Sequence, residues 1–197
     1  FITFNSSNNG LAADDVGGSL VLISTQTASS SATISFTSGI DSTYKEYIFK
    51  FINLHPATNN AYLTFQASTD GGSNYNTTCT STAFNCYHNE AGNSTALGYN
   101  GSRDVAQSTS FAPIQIDGVS NNDDGSSVAT LHLFDPSNTT FVKHFICTDQ
   151  KMGQTAAYSF NDFVAGYFNT TSAIDAIQFK FSSGNIDAGV IKLYGVN

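Results

Sequence analysis

Apolar and polar residues alternate with a period of two along much of this chain. Gly, Ser, Thr and Asn interrupt the pattern at roughly 8–12-residue intervals, as in proteins built from short strands. The clearest segment runs from Ala61 to Ala67, with Leu63, Phe65 and Ala67 on one side and Tyr62, Thr64 and Gln66 on the other. Ala176 to Phe181 repeats the pattern, with Ile177, Phe179 and Phe181 inward and Gln178 and Lys180 outward. Both predict half-buried strands. The segment from Glu46 to Leu54 is apolar on both sides and predicts a central strand, with Tyr47, Phe49 and Phe51 in the main core. Its other side carries Ile48 and Ile52 between Glu46 and Lys50, and a second segment or a second subunit is expected to cover it. Further strands are expected at 20–23, 32–36, 83–87, 111–116, 128–134, 141–147, 157–160, 164–168 and 190–194. No window of helical period stands out.

About a dozen short strands predict an all-β fold, an antiparallel β-sandwich that is jelly-roll-like. Residues 19–197 are expected to form that single domain, and 1–18 an extended N-terminal arm. The arm has an apolar tip, Phe1-Ile2-Thr3-Phe4, followed by a polar, Gly-containing stretch with Asp14-Asp15. Such a tip can add a strand to a neighbour; the alternative is a tail that folds back on its own domain or frays.

Composition narrows the function. The chain has 197 residues, 40% hydrophobic with 16 Phe and 9 Tyr, which is enough for a sizeable core without staples. Only 11% of residues are charged, less than half the usual ~25%. Solubility therefore rests on short Ser, Thr, Asn and Gly groups, which lose little entropy when packed in repeated contacts. The net charge of −8 and the scatter of only 7 Lys and Arg argue against nucleic-acid binding and against an anionic membrane surface. No run approaches the ~20 apolar residues of a membrane span. No basic segment followed by an apolar run opens the sequence, so no signal peptide is expected. Three cysteines, Cys79, Cys86 and Cys147, cannot all pair within one chain. A Cys79–Cys86 bridge is one possibility, and three free thiols from a reducing cytosol is the preferred reading.

The chemical motifs are sparse. Ser68-Thr69-Asp70-Gly71-Gly72-Ser73-Asn74-Tyr75 fits the Asp-box pattern. It predicts a turn in which Asp70 accepts backbone N–H bonds and glycines take positive φ. The four histidines, His55, His88, His132 and His144, show no metal-ligand spacing, although His132 and His144 lie on segments expected to be adjacent. Asn121 to Gly125 is a polar turn without the spacing of a calcium loop. Neither a nucleophile elbow nor a pair of catalytic carboxylates is visible, so no enzymatic activity, metal or cofactor is expected. The Asn-x-Ser/Thr sequons are read as chance matches in a chain rich in those residues. Tyr62, Tyr87, Tyr99, Tyr167 and Tyr194 are candidates for a sugar platform, or for ordinary tyrosines at strand edges.

Several segments resemble those of a known group of proteins. They are Phe36-Thr37-Ser38-Gly39-Ile40-Asp41-Ser42-Thr43-Tyr44-Lys45-Glu46-Tyr47, His55-Pro56-Ala57-Thr58 and Leu131-His132-Leu133-Phe134-Asp135-Pro136. Nearer the end come Ala165-Gly166-Tyr167-Phe168, Ser182-Ser183-Gly184-Asn185-Ile186-Asp187 and Lys192-Leu193-Tyr194-Gly195. Through these, residues 19–196 resemble uncharacterised virion-associated proteins of marine tailed phages. The resemblance implies a structural protein on the virion surface, made in the host cytoplasm. The expected role is capsid decoration, with the major capsid protein or tail and fibre proteins as partners. A tail-fibre domain that recognises a host surface glycan is the alternative. A homo-oligomer of closed symmetry is expected, a trimer being one form of it. The expected contact residues are Phe1, Ile2 and Phe4 in the arm and Ile48 and Ile52 on the domain. Substituting Phe1, Ile2 and Phe4 with Ser is expected to release the protein from particles without unfolding it, measured as occupancy on purified particles. Full occupancy would remove the arm as the anchor.

Overall fold

The computed structural model describes residues 2–4, 11–13, 19–155 and 157–197, and it is all-β with antiparallel pairing throughout. The strands are β1 (Ile2–Phe4), β2 (Leu11–Ala13), β3 (Leu20–Ser31), β4 (Ile34–Phe36), β5 (Glu46–Pro56), β6 (Leu63–Ser68) and β7 (Cys79–Asn89). They continue with β8 (Thr95–Tyr99), β9 (Ala112–Pro113), β10 (Ser127–Phe134), β11 (Lys143–Met152), β12 (Tyr158–Phe168), β13 (Ala176–Phe181) and β14 (Ile186–Val196). One sheet has eight strands in the order β3-β14-β5-β10-β11-β12-β7-β8, and a second has four in the order β4-β13-β6-β9. Separately, β1 and β2 form a two-stranded pair, with Ile2 opposite Ala13 and Phe4 opposite Leu11. Phe1 and most of the expected arm lie outside the described residues.

The two larger sheets share one core. Alternation puts Phe65 of β6 and Phe179 of β13 on the face of the small sheet that meets the large one. Phe179 packs edge-on against Phe49 and Phe51 of β5, with ring centroids 5.2 and 5.0 Å apart. Phe65 packs against Phe145 of β11 and Phe168 of β12 at 4.9 and 5.4 Å. Edge-to-face pairs add to the area term that already makes large rings the main contributors to a core. The strand β5 lies between β14 and β10, which is the central position its two apolar sides predict.

Three sequence expectations need correction. The segment Ala61–Ala67 is not half-buried: every residue of β6 is buried, Thr64 and Gln66 included. The chain ahead of β9 covers the side predicted to face solvent: Gln66 Nε2 donates to the carbonyls of Thr109 and Ser110 at 3.0 and 2.9 Å, and Phe111 lies under Lys180. The expected strands at 157–160 and 164–168 are one continuous strand, β12. The expected strand 111–116 reduces to the two residues of β9.

After β9, Ile114, Gln115 and Ile116 continue buried over the inner face of the large sheet; the Ile114 N–H still reaches the Leu63 carbonyl of β6 at 3.0 Å, and no ladder pairing follows. Side chains supply the partners that this backbone lacks. Asp162 Oδ2 accepts the Ile116 N–H at 2.6 Å. The Gln115 side chain donates to Asp149 Oδ1 at 2.7 Å and accepts the Leu63 N–H at 2.8 Å, tying β6 to β11. Asp149 and Asp162 lie directly opposite each other on β11 and β12, and Asn85 of β7 lies opposite Asp162. Lys151, two residues beyond Asp149 on the same face, forms ion pairs with both carboxylates. All three side chains are fully shielded from solvent.

Burial raises the Asp149 carboxyl to about 6, with Lys151 opposing the rise, and burial likewise raises Asp162. Burial pulls the Lys151 ammonium down, but the two carboxylates outweigh it and hold it above its ordinary value.

Two predictions follow from this packing. Phe179→Ala removes the ring that meets Phe36, Phe49, Phe51 and Phe65. It is expected to cost about 3–5 kcal/mol in chemical denaturation. The second concerns pH. A carboxyl raised on folding binds more protons in the folded state, so its stabilisation is present below the unfolded value and is lost as pH rises through the folded one. The urea midpoint is therefore expected to fall as pH rises from 3.8 through about 6.

Candidate functional site

The large sheet uses its inner face for the core. Its outer face carries a row of side chains in register across seven strands: Leu22, Tyr194, Ile48, His132, Ile146, Ala165 and Thr82. A second row runs Lys192, Lys50, Thr130, Thr148, Phe163, Phe84 and Tyr99. Period-two alternation is the cause: the residues between these positions fill the core, so these must point the other way. Among the described residues no strand packs on this face. Ile146 is 49% exposed and Leu97 72%, and Leu22, Phe84 and Tyr99 are exposed as well. Phe84 and Phe163 stack with ring centroids 4.9 Å apart. The few charges are partly satisfied within the sheet: Lys50 Nζ donates to Thr130 Oγ1 at 2.9 Å, and His132 Nδ1 lies 2.5 Å from Glu46 Oε1.

The expected contact residues fall on this surface in part. Ile48 and Ile52 both lie on the outer face. Ile48 is closed in by its sheet neighbours, at 9% exposure, while Ile52 is 42% exposed. The covering segment expected over them is not found among the described residues. Ile2 and Phe4 lie in β1, and Phe1 is outside the described residues.

The other sequence candidates separate. His132 lies opposite Ile146, so His144 is its diagonal neighbour on β11. No group of three His, Cys, Asp or Glu residues suited to a metal occurs among the described residues. Cys79 and Cys86 sit at opposite ends of a straight run of β7 and on opposite faces of the sheet. At about 3.3 Å per residue they are too far apart to bridge. The Asp-box segment is a turn, as predicted. Asp70 Oδ1 accepts the Asn74 N–H at 2.9 Å, and Gly71 and Gly72 have φ of 72° and 86°. Hydrogen bonds from Asn74 and Ser68 pull the Asp70 carboxyl down to about 2. Of the five tyrosines, Tyr99, Tyr167 and Tyr194 are on the outer face. Tyr62 lies under the Arg103 guanidinium at 4.1 Å, and Tyr87 packs on Phe160 on the inner face.

Tyr167, His144 and Ile146 border a shallow depression of about 420 Å³ floored by Ala165 and Gly166. A side chain at Gly166 would point into the core and collide with the Thr80 backbone and the Phe145 ring, so glycine there lets β12 pack over Phe145, while Ala165 sets the low floor outside.

What the sequence reading missed is the buried Lys151–Asp149–Asp162 group. Its signal was present in the continuing alternation Lys143, Phe145, Cys147, Asp149, Lys151, facing Phe160, Asp162, Val164. Compared with known proteins, the chain matches no family model, no curated protein and no solved structure.

Proposed function

We propose that this chain is an assembly protein of a phage particle, a capsid decoration protein that docks through the outer face of its eight-stranded sheet. The observation that carries the reading is the row Leu22, Tyr194, Ile48, His132 and Ile146, in register across the outer face, with Leu22 and Ile146 exposed and one histidine among otherwise apolar or aromatic side chains. Exposed surface of this largely apolar kind marks an interaction site on a soluble protein. Stacked aromatics, small polar groups and few charges are the composition of an interface core. The occupant is another virion protein, with a second copy of this chain as the contact that closes an oligomer. The resemblance to marine phage virion proteins supports the same reading. Within this reading the two sheets form a jelly-roll-like sandwich. Support comes from the chain path: β3, β5 and β7 lie in the large sheet and β4 and β6 in the small one, so the chain crosses at each step.

A second reading rests on the Tyr167 depression. An aromatic ring and a histidine beside a low, small-residue floor suit stacking against a sugar, as in a tail-fibre domain that recognises a host glycan.

The deciding experiment substitutes exposed positions so that the core is untouched. Ile146→Lys combined with Phe84→Lys is expected to leave the circular dichroism and thermal midpoint near wild type. Binding to particles lacking this protein should fall at least tenfold, and light scattering should report a smaller assembly. Unchanged particle binding with unchanged assembly would reject the sheet face as the docking surface. Retained sugar binding on a glycan array that is lost in Tyr167→Ala would replace the decoration reading with the second.

A further inference from the structure

The buried group Lys151, Asp149 and Asp162 holds one acidic group more than an ion pair needs. Two carboxylates and one ammonium share a site with no solvent contact. Fully ionised, the group would carry one uncompensated negative charge in the core, which is among the most costly arrangements in a protein interior. One proton held between the carboxylates removes that charge. It also leaves the Lys151 ammonium within hydrogen-bond reach of both a carboxylate and a carboxylic acid.

The two oxygens of Asp162 have different surroundings. Oδ2 accepts the Ile116 N–H at 2.6 Å and contacts Lys151 Nζ. Oδ1 is buried and has no hydrogen-bond partner. Asp149 is held on the other side of the amine, with Oδ1 fixed by Gln115 at 2.7 Å and Oδ2 3.0 Å from Nζ. The Phe160 ring closes the site at 5.6 Å from Nζ. These are a nucleophile, an acyl group with a polarised oxygen and a free one, and a proton carrier, held together with water excluded.

We propose that Lys151 and Asp162 condense to an intramolecular amide that cross-links β11 to β12, with Asp149 carrying the proton. Asp149 takes a proton from the Lys151 ammonium, leaving a neutral amine. Nζ attacks Cγ of the protonated Asp162, and the Ile116 N–H stabilises the charge that develops on Oδ2. Asp149 delivers that proton to the Oδ1 hydroxyl and takes one back from nitrogen. The Nζ–Cγ bond forms, the Cγ–Oδ1 bond breaks, and water leaves with Oδ1 and two protons. Asp149 remains as the neutral acid, so the core ends without net charge. No oxidant, metal or co-reactant is required. The inference stands on the inner face and does not depend on the particle reading.

The test is the mass of the folded, purified chain after denaturation. Expected is a deficit of one water against the sequence. Trypsin should fail to cut after Lys151, and the fragment 144–180 should carry the deficit. Chymotrypsin cutting at Tyr158 or Phe160 should leave the two arms joined. Dehydration at Asp70-Gly71, Asp117-Gly118 or Asp124-Gly125 would instead map to those residues and reopen in mild alkali. Asp162→Ala and Lys151→Met are expected to restore the full mass. Asp149→Asn, closest in shape, is expected to fold and to keep the full mass, which identifies the proton carrier. A wild-type chain of full mass, with trypsin cutting after Lys151, overturns the proposal. A deficit that persists in Asp149→Asn overturns the role given to Asp149.

Discussion

The structure depends on how an unpaired stretch of backbone is buried. The four-stranded sheet is too narrow to cover an eight-stranded one. Its aromatic rings reach β5, β11 and β12, but the inner face beside β7 is closed by Ile114 to Ile116, a stretch outside any strand whose backbone keeps one bond to β6, from the Ile114 N–H. A buried backbone N–H without an acceptor is costly, and the alternative acceptor must come from a side chain that is itself buried. Asp162 meets the Ile116 N–H, and the Gln115 amide spans from Leu63 to Asp149. Lys151 then follows of necessity, because two carboxylates in the core need a cation. A polar layer is thus built into the middle of a Phe-rich core because irregular chain was used to seal it.

This also explains which parts were legible in the sequence. Where alternation was carried by apolar residues, as in β13 and β5, face and position were read correctly. Where the inward residue was polar, the strand was cut. The expected strands stopped at Phe160 and resumed at Val164, leaving out Asn161-Asp162-Phe163, and Asp149 and Lys151 lay past the expected end of β11. Both errors fall on the same cluster, since inward Asp and Lys mimic the composition of a loop. Gln66 and Thr64 misled in the opposite direction, because solvent was assumed where a long connection lies. The strand β8 carries exposed side chains throughout, and an edge strand with no buried face leaves no pattern to find. The five proposed contact positions divided for a similar reason. Ile48 and Ile52 could be assigned to the face opposite the core by alternation alone. What covers them is a property of another surface.

Residues on adjacent positions of β11 and β12 therefore serve two faces with opposite requirements. Ile146, Ala165 and Phe163 form the middle of the uncovered outer face, while Asp149, Lys151 and Asp162 point into the core between and beyond them. The backbone of that hairpin is common to both. Anything that fixes β11 against β12 from inside also fixes the register of the apolar row outside, and a preordered surface loses less entropy when it docks. A covalent link within the hairpin would hold that register even when the surrounding core loosens. An outer face with so few charges has little electrostatic steering of its own, so its selectivity must come from shape. Shape is conserved only as far as the strands beneath it are held in place.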